Sequence, residues 1–365
     1  MIVILTAIFV LVILNIILII PKTKKTLTGK DETNSVISSD NRLTFSIIIS
    51  AKNEAENIPT LINSILKIDY PLDNFEVIII DDHSSDETFN LCSAYSAKYS
   101  FLKVFKNPET GYYSKRKALS FGIGKASFDH IILTDADCLP EKEWLNAFNR
   151  KFNAGYEIII GIAPFLKEDF IINNISCYEN LRSSILSFSL AELGLPYTSA
   201  ARNLGFTKIA FEKIGGYSKT FQSISGDDDL LIREALKQNL KVGLVSEEGS
   251  FVYSKTKKNL KDYLLQRSRH AQSSFYYLLR HKLILAAWHL TNLFFLLSPV
   301  LAVINIYFLM LLPSKLLFDL LVVKTFQKRY GYDFNWYEII FLQICYELFL
   351  IVHFLNAMFR KVKWK

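Results

Sequence analysis

Residues 283–312 contain no Asp, Glu, Lys or Arg, and residues 1–20 contain none either. About 20 apolar residues in a helix match the ~30 Å hydrocarbon layer of a bilayer, so part of this chain must fold against lipid. A third run, Trp336–Phe359, carries only Glu338 and Glu347. A cleaved signal peptide has its positive charge before the apolar run. Here Lys22, Lys24 and Lys25 follow it, so residues 1–21 are expected to remain as a transmembrane anchor. The positive-inside rule then puts the following chain on the cytoplasmic face of a plasma or inner membrane. Arg280 and Lys282 before the second run, and Arg360, Lys361, Lys363 and Lys365 after the third, fit three spans. On that count residues 283–365 form a C-terminal membrane region with two helices. Lys324, Lys328 and Arg329 do not fit, and a third C-terminal helix, made by splitting residues 283–323, stays open.

Half of the residues are hydrophobic and 21% are charged, with mean hydropathy +0.21. Disorder needs low hydrophobicity, so it is excluded as the main state. The net charge of +7 admits nucleic acid, anionic lipid or phosphorylated substrates as partners. No zinc-finger or RNP-type pattern supports nucleic acid. The four cysteines, Cys92, Cys138, Cys177 and Cys345, form no CxxC pair and read as reduced, partly buried thiols. Lys255, Lys257, Lys258, Lys261, Arg267, Arg269, Arg280 and Lys282 form a basic stretch suited to anionic headgroups, at about 1 kcal/mol per charge.

Residues 22–43 are a polar linker. From residue 44 to 282 the pattern becomes α/β. Apolar runs at Phe45–Ser50, Phe75–Ile80, Phe101–Phe105, His130–Thr134 and Glu157–Gly161 alternate with helix-like stretches at 54–67, 86–98, 115–125 and 141–153. Continuous apolar strands between helices predict a mostly parallel sheet covered on both faces. Ser50-Ala51-Lys52-Asn53-Glu54, Asp81-Asp82-His83-Ser84-Ser85-Asp86 and Asp135-Ala136-Asp137 each follow a strand. Ligands of open α/β sheets bind beyond the carboxyl ends of the strands. Helix capping accounts for Ser85 or Asp86, but not for four acids at one rim, where like charges call for a cation. Asp135-x-Asp137 is a hard oxygen pair suited to Mg²⁺ or Mn²⁺ holding a diphosphate. His83 reads as a turn residue.

The ordered motifs SIIISAKNEAENI, VIIIDDHSSDET, SKRKALSFGIGKA, IILTDADCLP, ARNLGFTKIAFEKIGGY, SGDDDLL and QRSRH, from Phe45 to Gln272, resemble a membrane-anchored, inverting family 2 glycosyltransferase of the GT-A fold. The resemblance implies a hexosyltransferase-like enzyme using a nucleotide-sugar donor, a UDP-sugar by family habit. Its acceptor would be a lipid or glycan at the membrane, in cell-envelope glycan or glycolipid synthesis. It implies that Ala51 and Glu54 line the base and ribose pocket and that Asp82 contacts the uracil or ribose side. Lys115 would lie near the nucleotide. Asp135 and Asp137 would form the DxD, with Asp137 the direct metal ligand. Asp228 matches the catalytic base if GDD is aligned directly. Asp227 matches it if the downstream Leu and Arg are aligned, and on the sequence Asp228 is favoured, with Asp227 capping the next helix. Gln266 and Arg269 match a Q-x-x-R motif facing diphosphate or acceptor. That motif's longer form ends in Trp, where this chain has His270, which counts against a processive polysaccharide synthase. A nucleotidyltransferase would carry a Gly-rich loop after the first strand, where SAKNEAEN stands instead. A non-catalytic scaffold would not need all these motifs. Tyr112 and Tyr113 are further candidates to border the acceptor.

Overall fold

The structure is a computed structural model of the 365-residue chain and describes residues 5–16, 18, 42–109, 114–223 and 225–359. Most of the expected linker and Tyr112 and Tyr113 lie outside the described residues, as do the ends of the expected N-terminal anchor. The chain forms two compact units: a sheet unit from Asn34–Leu166 and Thr198–Lys255, and a helical unit from Met1–Thr33, Lys167–Tyr197 and Thr256–Val362. The stretch expected as one domain over 44–282 therefore contributes to both.

In chain order the helical unit opens with α1 (Leu5–Ile16). The sheet unit follows with β1 (Phe45–Ala51), α2 (Ile58–Ile65), β2 (Phe75–Asp81), α3 (Thr88–Lys98), β3 (Leu102–Lys106), α4 (Ser114–Lys125), β4 (His130–Asp135), β5 (Cys138–Pro140), α5 (Trp144–Asn153) and β6 (Ile158–Gly161). After α6 (Ile171–Glu192) of the helical unit come β7 (Leu204–Thr207), α7 (Lys208–Lys213), α8 (Asp229–Lys237), β8 (Val242–Val245) and β9 (Val252–Ser254). The helical unit closes with α9 (Leu260–Ser273), α10 (Leu279–Leu297), α11 (Leu311–Phe326) and α12 (Trp336–Phe359).

Seven strands form one sheet in the order β3-β2-β1-β4-β7-β6-β8. All neighbours are parallel except β7, which runs against β4 and β6. The long apolar runs became the parallel strands, and every residue of β2 is buried. The short strands β5, β7, β8 and β9, of three or four residues, were not legible as runs; β7 even contains Gly205. In register, Ala51 pairs with Asp81 and Ser50 with Asp135, so the polar ends of β1, β2 and β4 lie in one row.

Helix α4 lies over β1 and β2 because Gly122 lets it approach. A Cβ at Gly122 would stand 2.6 Å from Ile48 Cγ2 and 3.1 Å from Ile80 Cγ1. A crossover helix runs against its strands, so this contact sets the start of α4, with Lys115, beside their carboxyl ends. Gly122→Ala should cost about 1–3 kcal/mol by overpacking, read as a lower thermal midpoint of the purified protein.

In the helical unit, the run 283–312 is not one span. It divides into helical segments on either side of Ile304 and Asn305. Three described helical stretches are long and apolar enough to cross a membrane: Leu279–Val303, Ile306–Tyr330 and Trp336–Phe359. The third C-terminal helix left open by the sequence is therefore present. Several of the charged residues buried inside the unit are paired. Arg182 Nη2 donates to Asp319 Oδ1 at 2.9 Å, Lys315 contacts both Asp319 and Glu347, and Gln343 donates to Glu347 at 2.7 Å. Arg267 does not join a lipid-facing basic stretch. It pairs with buried Glu179 at 3.0 Å, which also accepts from Tyr263, because an isolated buried carboxylate would be costly.

Candidate active site

The loops after β1 and β2 are stitched together. Asn53 N donates to Ser84 Oγ at 3.0 Å, Ser85 N to Asn53 Oδ1 at 2.8 Å, and Glu54 N to Thr88 Oγ1 at 2.8 Å. The turns need left-handed backbone at Asn53 (φ 56) and His83 (φ 59), and the His83 ring contacts the Glu109 carbonyl, as a turn residue would. Ala51 is fully buried at the end of β1. Glu54 accepts from Asn57 at 2.6 Å. Asp82 is buried and accepts from Asn107 Nδ2 at 2.7 Å. Asp81 is buried as well, and its Oδ1 has no hydrogen-bond partner among the described residues. Buried carboxylate oxygens are normally satisfied, so Asp81 joins Asp82 as a candidate ligand contact. Asn107 was missed because it follows β3 with no acidic signal.

The end of β4 brings Asp135 and Asp137 together. Their carboxylates and the Cys138 thiol lie within 4.8 Å of one another. Two hard oxygens on adjacent turns of chain suit a divalent cation. Burial, and then the neighbouring Asp137 and Asp135, push the Cys138 thiol well above its usual range. Cys138 is a buried neighbour of this pair.

Lys115 at the start of α4 contacts Asp135 at 2.9 Å and Asp227 at 3.3 Å. Burial opposes its charge, but Asp135 and then Asp227 more than offset that and raise its pKa. Arg116 beside it is buried and donates to the carbonyls of Thr220 and Ser223, both at 2.7 Å. It braces the segment leading to the three acids. Arg116 sits within SKRKALS, yet nothing in its type separated it from a surface cation.

The three acids divide their work. Gly226 has φ 117, a conformation that only glycine adopts freely, and turns the chain into α8. Asp228, not Asp227, caps that helix. Its oxygens accept from Asp229 N at 2.8 Å and Ala201 N at 2.9 Å. Asp229 turns to Thr198 Oγ1 at 2.5 Å. Asp227 instead faces Lys115. The capping expected of Asp227 thus passes to Asp228, because Gly226 starts the helix one residue later. Burial raises the Asp227 carboxyl, but Lys115 first and Arg116 next outweigh it and the net shift is downward. Asp228 is pushed well above the usual range by burial, then by Asp229 and Asp227. Gln266, Arg269 and His270 lie on α9 in the helical unit.

A family model described as glycosyl transferase family 2 matches residues 46–185, and one described as glycosyl transferase family group 2 matches residues 130–351. The chain belongs to the family 2 glycosyltransferases. Among curated relatives of this glycosyltransferase, a probable glycosyltransferase, YdaM, of Bacillus subtilis is 24% identical over 64% of this chain and 56% of its own length. A dolichyl N-acetyl-alpha-D-glucosaminyl phosphate 3-beta-D-2,3-diacetamido-2,3-dideoxy-beta-D-glucuronosyltransferase of Methanococcus voltae is 32% identical over 28% of this chain and 31% of its own. The chain thus spans about half or less of these relatives' lengths. Among solved structures, the mannosyltransferase PcManGT of Pyrobaculum calidifontis, in complex with GDP-Man and Mn²⁺, has a TM-score of 0.53 at 16% identity, covering 95% of this chain and 99% of its own. That likeness places the sheet unit among GT-A-type folds.

Proposed function

We propose that this family 2 glycosyltransferase moves a sugar, with inversion, from a nucleotide-diphosphate sugar to a lipid-linked or membrane-proximal acceptor, with its sheet unit on the cytoplasmic face, in cell-envelope glycan or glycolipid synthesis. One observation carries the reading. Asp227, biased to its anion, lies 3.3 Å from a lysine that also holds Asp135 of the DxD. A carboxylate kept ionised next to a candidate diphosphate site is what single-displacement transfer requires of a base. In this reading Asp227 Oδ2 takes the proton from the acceptor hydroxyl, while Lys115 moves from its two carboxylates toward the donor phosphates. Asp135 and Asp137 would hold a divalent cation, Mg²⁺ or Mn²⁺, which when bound offsets charge on the leaving diphosphate. Ala51, Glu54, Asp81 and Asp82 would hold the nucleoside. Gln266, Arg269 and His270 would serve phosphate or acceptor. The Methanococcus voltae relative's name includes a dolichyl-linked substrate, which supports the lipid-linked acceptor.

The test is a donor screen. Protein in detergent with Mn²⁺ or Mg²⁺ is offered UDP- and GDP-sugars, and nucleotide release is read with and without lipid-linked acceptors. A UDP-sugar is the expected donor. No release with any nucleotide sugar, with donor binding absent, would sink the reading.

The pH dependence follows from the sign of the Asp227 shift. A lowered folded-state pKa keeps the base ionised until pH falls below the ordinary carboxylate range. The acidic limb of kcat/KM should lie there. Lys115→Met removes the main lowering charge, so the limb should move to higher pH. An unmoved limb in that variant would assign the titration to another group.

A further inference from the structure

The motif ARNLGFTKIAFEKIGGY ends in a tyrosine that has no part in the transfer described above, yet it stands beside the proposed base. We propose that Tyr217 is a positioning residue for Asp227: when Lys115 leaves for the donor phosphates, the Tyr217 hydroxyl takes its place and donates a hydrogen bond to the Asp227 carboxylate. This role rests on the transfer reading and adds to it the group that holds the base once the lysine has gone.

The backbone aims the ring. Gly215 and Gly216 have φ 80 and 58, two left-handed residues in a row that glycine adopts without steric cost. They turn the chain from α7 into a 3₁₀ turn, Gly216–Lys219. The turn packs against α4, which carries Lys115, and against α8, which Asp227 and Asp228 lead into. Three bonds fix it there. Thr220 N donates to Tyr217 O at 2.9 Å, Arg116 Nη1 to Thr220 O at 2.7 Å, and Arg233 Nη2 of α8 to Lys219 O at 2.8 Å. Arg116 adjoins Lys115 in sequence, so one end of α4 holds both the Tyr217 turn and the ion pair with Asp227. The Tyr217 ring is 3% exposed and meets Phe211 edge-on, with centroids 5.2 Å apart.

The hydroxyl is what packing does not explain. It is buried and has no hydrogen-bond partner among the described residues. An unmade buried hydrogen bond is costly, and phenylalanine would fill the same space without that cost. Burial first and Asp227 next raise the hydroxyl's pKa, so it keeps its proton beside an anion. Asp227 Oδ2 is buried as well, with Lys115 Nζ at 3.3 Å. Departure of the lysine would leave that oxygen without a donor, which buried carboxylates avoid. Arg116 is already committed, through Nη1 and Nη2, to the Thr220 and Ser223 carbonyls. Tyr217 is the neighbour with a proton to give.

The test is Tyr217→Phe, which keeps the ring and removes the hydroxyl. The other charges around Asp227 stay in place: Lys115 and Arg116 of α4, Asp228 and Asp229 at the start of α8, and Asp135 through Lys115. The single-turnover rate with saturating donor and acceptor should fall about 10- to 100-fold, the worth of a hydrogen bond to a charged group. The carboxylate loses a donor that favours its anion, so the acidic limb of that rate, which reports the enzyme–substrate complex, should move to higher pH. The thermal midpoint of the donor-free protein should stay or rise, because an unmade hydrogen bond is removed. An unchanged rate and an unmoved limb would overturn the proposal and make the hydroxyl a core group bonded to water. A slower rate with an unmoved limb, or with a lower midpoint, would overturn it too, since packing would then account for the loss. If the unaltered protein releases no nucleotide from any donor, the transfer reading fails and this role with it. If the unaltered protein is active and Tyr217→Phe equals it, this role alone fails.

Discussion

Asp227→Asn should lower turnover by about 10² to 10⁴, the usual contribution of a general base, while donor binding stays close to that of the unchanged protein. The expectation rests on geometry. Asp227 faces Lys115 at 3.3 Å, whereas both oxygens of Asp228 are engaged by backbone N–H groups and Asp229 is turned to Thr198. Asparagine keeps the size of the side chain but cannot take a proton. Asp228→Ala should behave differently. It removes a helix cap, so about 0.5–2 kcal/mol of stability should be lost, with most turnover retained. Single-turnover rates and thermal midpoints of the two variants separate the roles. If Asp228→Asn abolishes turnover and Asp227→Asn does not, the base is Asp228 and the ion pair with Lys115 is only a brace.

Asp137→Ala should abolish metal-dependent donor binding and lower turnover by ~10³ or more, since a bound cation supplies several kcal/mol of charge stabilisation in such reactions. The motive is the convergence of Asp135 and Asp137 at the end of β4. Asp135→Ala should act less simply, because it also frees Lys115 from one of its two carboxylates. Calorimetric titration of donor with Mn²⁺ and then with EDTA reads the effect without turnover. Unchanged donor binding by Asp137→Ala in Mn²⁺ would count against the DxD as the cation site, and full activity of the unaltered protein in EDTA would remove the cation altogether.

Much of the sheet was legible because its strands are long, β-branched and buried on both faces, a pattern few other structures tolerate. The row of acids was legible for the same reason: parallel strands in register end together, so acids that follow Ile80 and Thr134 in sequence must share an edge. Strands β5, β7, β8 and β9 were hidden, since three or four residues carry little periodicity and β7 also contains Gly205. Lys324, Lys328 and Arg329 left a split of residues 283–323 open, but the position of the break at Ile304 and Asn305 was hidden, because an apolar turn looks like an apolar helix when only composition is read.

The sequence by itself determined that this chain has a parallel α/β sheet with a cluster of acids at its carboxyl edge, and that it also carries long apolar helices. Hydrophobic pattern is a local property, and the chain's order carries it directly. Only the tertiary structure decided how the adjacent Asp227, Asp228 and Asp229 differ. Three like side chains in a row have no individual identity until distant groups choose among them: Lys115 on α4, Ala201 N and Thr198 in the loop before β7, and the left-handed turn at Gly226. The direction of a carboxylate, and with it its charge, is set by neighbours that the sequence separates and the fold brings together.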